Sequence, residues 1–203
     1  MLFKTNMLKS QQNKYRNLGI LNMRDFIYAE MMVHVPMCTS KEAKDVLIIS
    51  DNAQKLSQEA ARHSEANVKV IGCSLNEVSS LSDESYDVVI SEMGNDAALF
   101  SHLNRVLKKD GLLVTKHPSL DSVEENKSLM NMLGKFFKII MPYNIGDGTT
   151  ALLASKEYHP TADINLQRAD MIDGLSYYNS DIHPAAFAMG NYIRKEYLGI
   201  IKN

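Results

Sequence analysis

Tryptophan is missing from this 203-residue sequence, and cysteine nearly so: Cys38 and Cys73 are the only two. Two thiols cannot build a disulfide framework or a thiolate metal cage, and their scarcity suits a reducing cytoplasm. A surplus of charge of either sign is also lacking, since 22 Lys and Arg face 24 Asp and Glu for a net charge of -2. With no basic cluster, nucleic acid is not an expected partner. No apolar run approaches the roughly 18 residues of a membrane span, and the opening from Lys4 to Arg16 is polar, without a secretory core. The expectation is a cytoplasmic protein with no membrane partner.

What is present is a succession of strand and helix patterns. With 45% hydrophobic and 23% charged residues, the chain has the composition of one globular domain with a sizeable core. Residues 1–18 are polar and aperiodic and read as a ragged lead-in or short edge strand. From Met23, the residues Phe26, Ile27, Met31 and Val35 fall at helical spacings, and Pro36 is expected to end that helix. The run Asp45-Val46-Leu47-Ile48-Ile49-Ser50 reads as a buried strand leading into a helix over 53–63, with further strands over 68–72 and 86–91. A helix over 99–107 is expected to finish on Lys108 and Lys109, with Gly111 as a left-handed cap. A strand over 112–115, a helix over 123–134, two strands over 137–141 and 150–154 around a glycine-rich turn, and a polar tail with a short helix follow. Alternating strands and helices imply right-handed crossovers and an open, mostly parallel α/β sheet covered on both faces, with an antiparallel hairpin at one edge.

In such a sheet, ligands lie outside the C-terminal ends of the strands. The residues there are Ser50-Asp51-Asn52, Gly72-Cys73-Ser74 and the loop Glu92-Met93-Gly94-Asn95-Asp96. The first of these loops has no glycine, which disfavours a dinucleotide cofactor. Glu92 and Asp96 are two carboxylates on one loop: they hold a cationic amine or take a proton from it, or else the loop is solvated and Asp96 caps the next helix. If they share a site, their repulsion is expected to raise at least one pKa. Glu30 and His34 lie four apart with no third ligand spaced to join them, so a helix-face pair or a hydrogen bond is expected rather than a metal site. His117 lacks a neighbouring nucleophile or orienting carboxylate and reads as structural. Cys38 and Cys73 read as small buried hydrophobes, and the 12 methionines as adaptable core packing.

Two segments carry a family resemblance. Phe26-Ile27-Tyr28-Ala29-Glu30-Met31-Met32-Val33-His34-Val35-Pro36 resembles the F-I-Y-x-E-M-M-x-H-V-P helix of the spermidine synthases, the polyamine aminopropyltransferases. Tyr177-Tyr178-Asn179-Ser180-Asp181-Ile182-His183-Pro184-Ala185-Ala186-Phe187-Ala188 is similar to their Y-Y-N-x-x-I-H-x-A-A-F-A signature. Between them, Tyr86 to Glu92 resembles Y-D-V-I-I-x-D, and Leu107 to Val114 resembles L-x-x-G-G-x-x-V.

The resemblance implies a Rossmann-like sheet of the S-adenosylmethionine-methyltransferase type over 23–203, preceded by a vestigial segment over 1–22 in place of most of the family's N-terminal β-domain. It implies aminopropyl transfer from decarboxylated S-adenosylmethionine, a co-substrate, to a diamine such as putrescine, with no resident cofactor or metal, by a homodimer. Tyr28, Glu92 and Tyr143 fall on the substrate side, with Ala29 in place of the usual His or Gln. Glu92 matches the first aspartate of the family's D-x-x-D loop and the second falls on Asn95, so catalysis passes to Glu92 and Asp96. Ser50, Asp51 and Cys73 fall on the donor side, although the family's G-G-G-D-G-G loop and the acidic residue after the second strand have no counterparts. The 36 residues between Ile49 and Tyr86 are fewer than the family uses, which implies a missing or condensed strand-helix unit. Two other readings are a degenerate paralogue that keeps the fold and dimer surface without activity, and a methyltransferase on the same type of sheet.

Overall fold

The computed structural model describes residues 25–94 and 96–203. The expected vestigial segment over 1–22 and the residue Asn95 lie outside them.

The first helix, α1 (Asp25–Thr39), is buried from Ala29 to Thr39. It does not end at Pro36, as expected, but continues for a further turn. Proline removes one helical N–H and crowds the carbonyl four residues earlier, yet the last turn finds other donors. The Thr39 hydroxyl donates to the Val35 carbonyl at 2.8 Å, and the Arg168 guanidinium donates to the carbonyls of Met37, Ser40 and Lys41 at 2.6, 2.6 and 2.8 Å. Tertiary contacts thus override the local stop signal.

The sheet follows as β1 (Asp45–Ile49), α2 (Gln54–Ala60), β2 (Asn67–Ile71), α3 (Leu75–Ser79), β3 (Tyr86–Ser91), α4 (Ala97–Val106), β4 (Leu107–Lys116), α5 (Val123–Leu133), β5 (Ile139–Asn144) and β6 (Thr150–Ser155). Three short helices complete the chain, α6 (Leu166–Asp170), α7 (Ile182–Ala186) and α8 (Asn191–Glu196). Among the described residues the sheet has six strands in the order β2-β1-β3-β4-β6-β5. The first four are parallel, and the β5/β6 hairpin closes one side antiparallel, as the alternation implied. Between β1 and β3 there is room only for α2, β2 and α3, a condensed crossover. The edge strand β2 is largely exposed rather than covered on both faces.

Side chains alternate across the central strands. Val46, Ile48, Val88, Ile90, Leu112 and Val114 meet α1 on one face. On the other, Leu47, Ile49, Val89 and Leu113 meet Leu99, Phe100 and Leu103 of α4 and Leu129 of α5.

One expected boundary is displaced. Strand β4 begins at Leu107, directly after α4, so Lys108 and Lys109 lie in the sheet and not in a helical last turn. Lys108 pairs with Asp45 at 2.8 Å and Asp87 at 2.9 Å, which holds it extended. Gly111 is not a left-handed cap. A Cβ there would stand 2.9 Å from a Leu107 methyl and 3.1 Å from the Tyr86 carbonyl, so close approach requires the glycine. No helix among the described residues is long and apolar enough to cross a membrane.

Candidate functional site

Backbone pairing runs one residue beyond the C-terminal ends of β1 and β3: Ser50 N–H donates to Ile71 at 3.0 Å and Glu92 N–H to Ile49 at 2.8 Å. These bonds bring Ser50 and Glu92 side by side. The Ser50 hydroxyl donates to Glu92 Oε2, and the Tyr28 hydroxyl, arriving from α1, donates to Glu92 Oε1 at 2.7 Å. The parallel register pairs Ser91 with Thr115, which sets the next residues, Glu92 and Lys116, side by side. Lys116 Nζ lies 2.7 Å from Glu92 Oε1 and 5.3 Å from the centre of the Tyr28 ring. Because β6 runs antiparallel to β4, the turn before it, with Asp147 and Thr149, comes to the same end of the sheet.

These groups surround a cavity of about 790 Å³. Asp25, Tyr28, Glu92, Lys116 and Asp147 give it polar walls, and Ala29 and Leu56 apolar ones. Burial pushes the Glu92 pKa up, but the Lys116 ammonium and the hydroxyls of Ser50 and Tyr28 outweigh it and hold the carboxyl below its ordinary range. Glu92 does not show the rise expected from a facing carboxylate, because a cation, Lys116, faces it instead. Burial, and then the Glu92 carboxylate, push the Tyr28 phenol far up, so it acts only as a donor.

The other candidates are dispersed. Asp96 is exposed and does not line the cavity; its carboxylate accepts the Leu99 N–H at 2.7 Å as the cap of α4, the alternative the sequence left open. Tyr143 is wholly buried and also stands apart from the cavity. Its hydroxyl donates to the Met31 carbonyl at 3.2 Å, because the strand that carries it packs beneath α1. Asp51 Oδ1 accepts the Cys73 N–H at 2.8 Å, which ties the loops after β1 and β2 together. Burial, first, and Asp51 push the Cys73 thiol up, away from nucleophilic use.

Glu30 and His34 are not a helix-face pair. Glu30 accepts the backbone N–H groups of Ser176, Tyr177 and Tyr178 at 2.9, 2.8 and 2.8 Å, joining the two motif segments. His34 meets His63 at 3.0 Å and Glu59 at 3.1 Å. His117 Nδ1 lies 2.7 Å from Asn126 Oδ1, the acceptor of an amide whose nitrogen already donates to three carbonyls. The proton is therefore on Nδ1.

Sequence reasoning missed Lys116, Asp147 and the pair Asp25 and Lys55, joined at 2.6 Å at the cavity wall. A lysine ending one parallel strand beside a glutamate ending its neighbour is a signal that strand register alone could have given.

No protein-family model matches the chain. Among curated proteins it is 27% identical over 215 residues to the polyamine aminopropyltransferase of Helicobacter acinonychis, covering 88% of this chain and 82% of that protein. It is 28% identical over 224 residues to the polyamine aminopropyltransferase of Clostridium acetobutylicum, covering 85% and 78%. Among solved structures, spermidine synthase from Thermotoga maritima superposes with a TM-score of 0.75 at 22% identity, covering 87% of this chain and 75% of that one. A spermidine synthase in complex with the transition state analogue AdoDATO gives 0.75 at 20% identity, covering 85% and 75%.

Proposed function

Starting from the chain's membership of the spermidine synthase family of polyamine aminopropyltransferases, we propose that it transfers an aminopropyl group from decarboxylated S-adenosylmethionine to an amine. The observation that carries this is Tyr28 hydrogen-bonded to Glu92 at 2.7 Å, a contact between residues 64 apart, on the wall of a large cavity at the strand ends. In the reaction a neutral amine attacks the propyl carbon next to the sulfonium. The N–C bond forms as the C–S bond breaks, the positive charge on sulfur is discharged, and methylthioadenosine leaves.

The site's task is to hold and orient the acceptor, whose ammonium must first lose a proton. Glu92, kept ionised by its donors, is a seat for an ammonium and a weak proton acceptor. Tyr28 and Ser50 fix its rotamer, so they are positioning residues. Ala29 and Leu56 exclude water on one side, and Asn52 and Gln54 offer hydrogen bonds to the nucleoside where the family has glycines. Ser50, Asp51 and Cys73 stay with the donor side in this proposal, and the Asp51 bond to Cys73 shapes that wall.

The second reading, a paralogue without activity, is favoured by the same Asp51 bond and by Asp96 serving as a cap. Calorimetric titration with decarboxylated S-adenosylmethionine and with methylthioadenosine separates the two. The expected result is saturable heat with both and methylthioadenosine formed on adding putrescine; folded protein that binds neither sinks the transfer proposal.

We extend the proposal to a homodimer. Gel filtration with light scattering is expected to give about twice the 22.8 kDa chain mass, and a clean 22.8 kDa species at micromolar concentration would refute it.

A further inference from the structure

We propose that Lys116 is a resident ammonium on the acceptor seat and that it makes the site select amines of single positive charge over dications. The inference rests on the aminopropyl-transfer reading and concerns which amine that site takes.

A carboxylate offers about four lone-pair positions. On Glu92, Tyr28, Ser50 and Lys116 occupy three of them. With Asp147 left to seat a first ammonium, the second ammonium of a diamine finds a single position on Glu92 unless the lysine withdraws. Lys116 also lies within cation–π reach of the Tyr28 ring, so it takes the aromatic face as well as the anion. The two partners are unequal in freedom: the Lys116 side chain is 52% exposed and that of Glu92 14%. The lysine can swing into solvent while the carboxylate stays, so a free ammonium competes with a tethered one whose effective concentration is of the order of millimolar or above.

The charges around the cavity point the same way. Of its three carboxylates, Asp25 is paired with Lys55 and Glu92 with Lys116. Asp147 accepts from the Thr149 N–H and hydroxyl at 2.8 and 2.6 Å and meets no cation among the described residues. One uncompensated negative charge matches one ammonium. A dication finds its second anion only by evicting Lys116.

The test is calorimetric titration of the full chain with butylamine and with 1,4-diaminobutane, in wild type, Lys116→Met and Lys116→Arg. For a half-exposed ion pair, the methionine variant is expected to bind the diamine about five- to tenfold more tightly than wild type, with butylamine changed less than about twofold. The arginine variant, which keeps the charge, is expected to stay at the wild-type value. Tighter binding of the diamine than of butylamine by the wild type, equal diamine affinity in wild type and Lys116→Met, an equal gain for both amines, or no amine binding in any of the three overturns the proposal. A diamine-specific gain in a chain that binds neither nucleoside upholds the lysine's role and removes aminopropyl transfer, so the two failures are distinguishable.

Discussion

Replacing Glu30 by glutamine is expected to cost this protein about 3 to 5 kcal/mol of stability, more than any other single change considered. The side chain is 2% exposed and accepts three backbone N–H groups from one turn of the tail. A carboxylate is an acceptor at both oxygens, whereas a glutamine amide accepts at one and presents donors at the other. Whichever way the amide turns, at least one of the three N–H groups faces another donor, and in one orientation these include the buried Tyr178 N–H. The consequence reaches beyond the contact itself, because the three amides open the segment that places Tyr178, His183 and Phe187 in the core against α1. For a chain of this length the melting temperature is expected to fall by roughly 10 to 15 °C. Hydrogen exchange should locate the damage, with Ser176, Tyr177 and Tyr178 amides losing protection first. A loss below about 1 kcal/mol, or uniform loss of protection, would show that the tail is held by its apolar side chains alone.

Much of the scaffold was legible because it is written in local pattern. The runs 45–49 and 86–91 are continuously apolar or nearly so, and as central parallel strands they are buried on both faces. The hairpin turn declared itself by Gly146 and Gly148, both of which adopt positive φ. The errors have a common cause. Pro36 and the pair Lys108 and Lys109 carry strong local signals that distant partners override, Arg168 in the first case and Asp45 and Asp87 in the second.

The site was less legible for the same reason. Tyr28 and Glu92 stood out through the family resemblance, and the fold joins them. Asp96 and Tyr143 matched by position in the chain, but each satisfies its polar atom away from the cavity, one on the adjoining helix end and the other on a carbonyl of the distant α1. Lys116 carries no motif at all. Its role follows from the β3/β4 register, a property of two strands together.

Acid should destabilise the protein well before its carboxylates titrate. His183 is fully buried, and burial pushes its pKa from 6.5 down to about 4, although the Pro160 carbonyl pulls the other way. The neighbours explain why the neutral ring is preferred. Tyr178 OH lies 2.7 Å from Nδ1, and the Thr39 hydroxyl, which donates to Val35, lies 3.4 Å from Nε2. Nδ1 therefore accepts from Tyr178 and the proton sits on Nε2; protonating Nδ1 would make the Tyr178 hydroxyl turn and accept instead, in a core that offers the new charge no counterion. Phe187 covers the ring, and no carboxylate is within hydrogen-bonding distance among the described residues. A base whose folded pKa is depressed binds fewer protons folded than unfolded, so its contribution is intact above pH 6.5 and drains as pH falls toward the folded value. At about 1.4 kcal/mol per pH unit, ~3 kcal/mol is lost between pH 6.5 and about 4. Burial, first, and then the charge of His34 push His63 down to about 3, so it adds a smaller loss of the same sign, discounted because that ring is partly exposed. Glu92 and Glu59, whose pKa values are lowered, contribute only below their ordinary range near 4.5. Urea unfolding followed from pH 7.5 to 4.5 is therefore expected to show a midpoint falling steeply from pH 6.5 downward, and His183→Gln should flatten that slope whatever it does to stability at pH 7.5. A midpoint constant down to pH 5, or an unchanged slope in the variant, would mean that His183 accepts its second proton within the folded core.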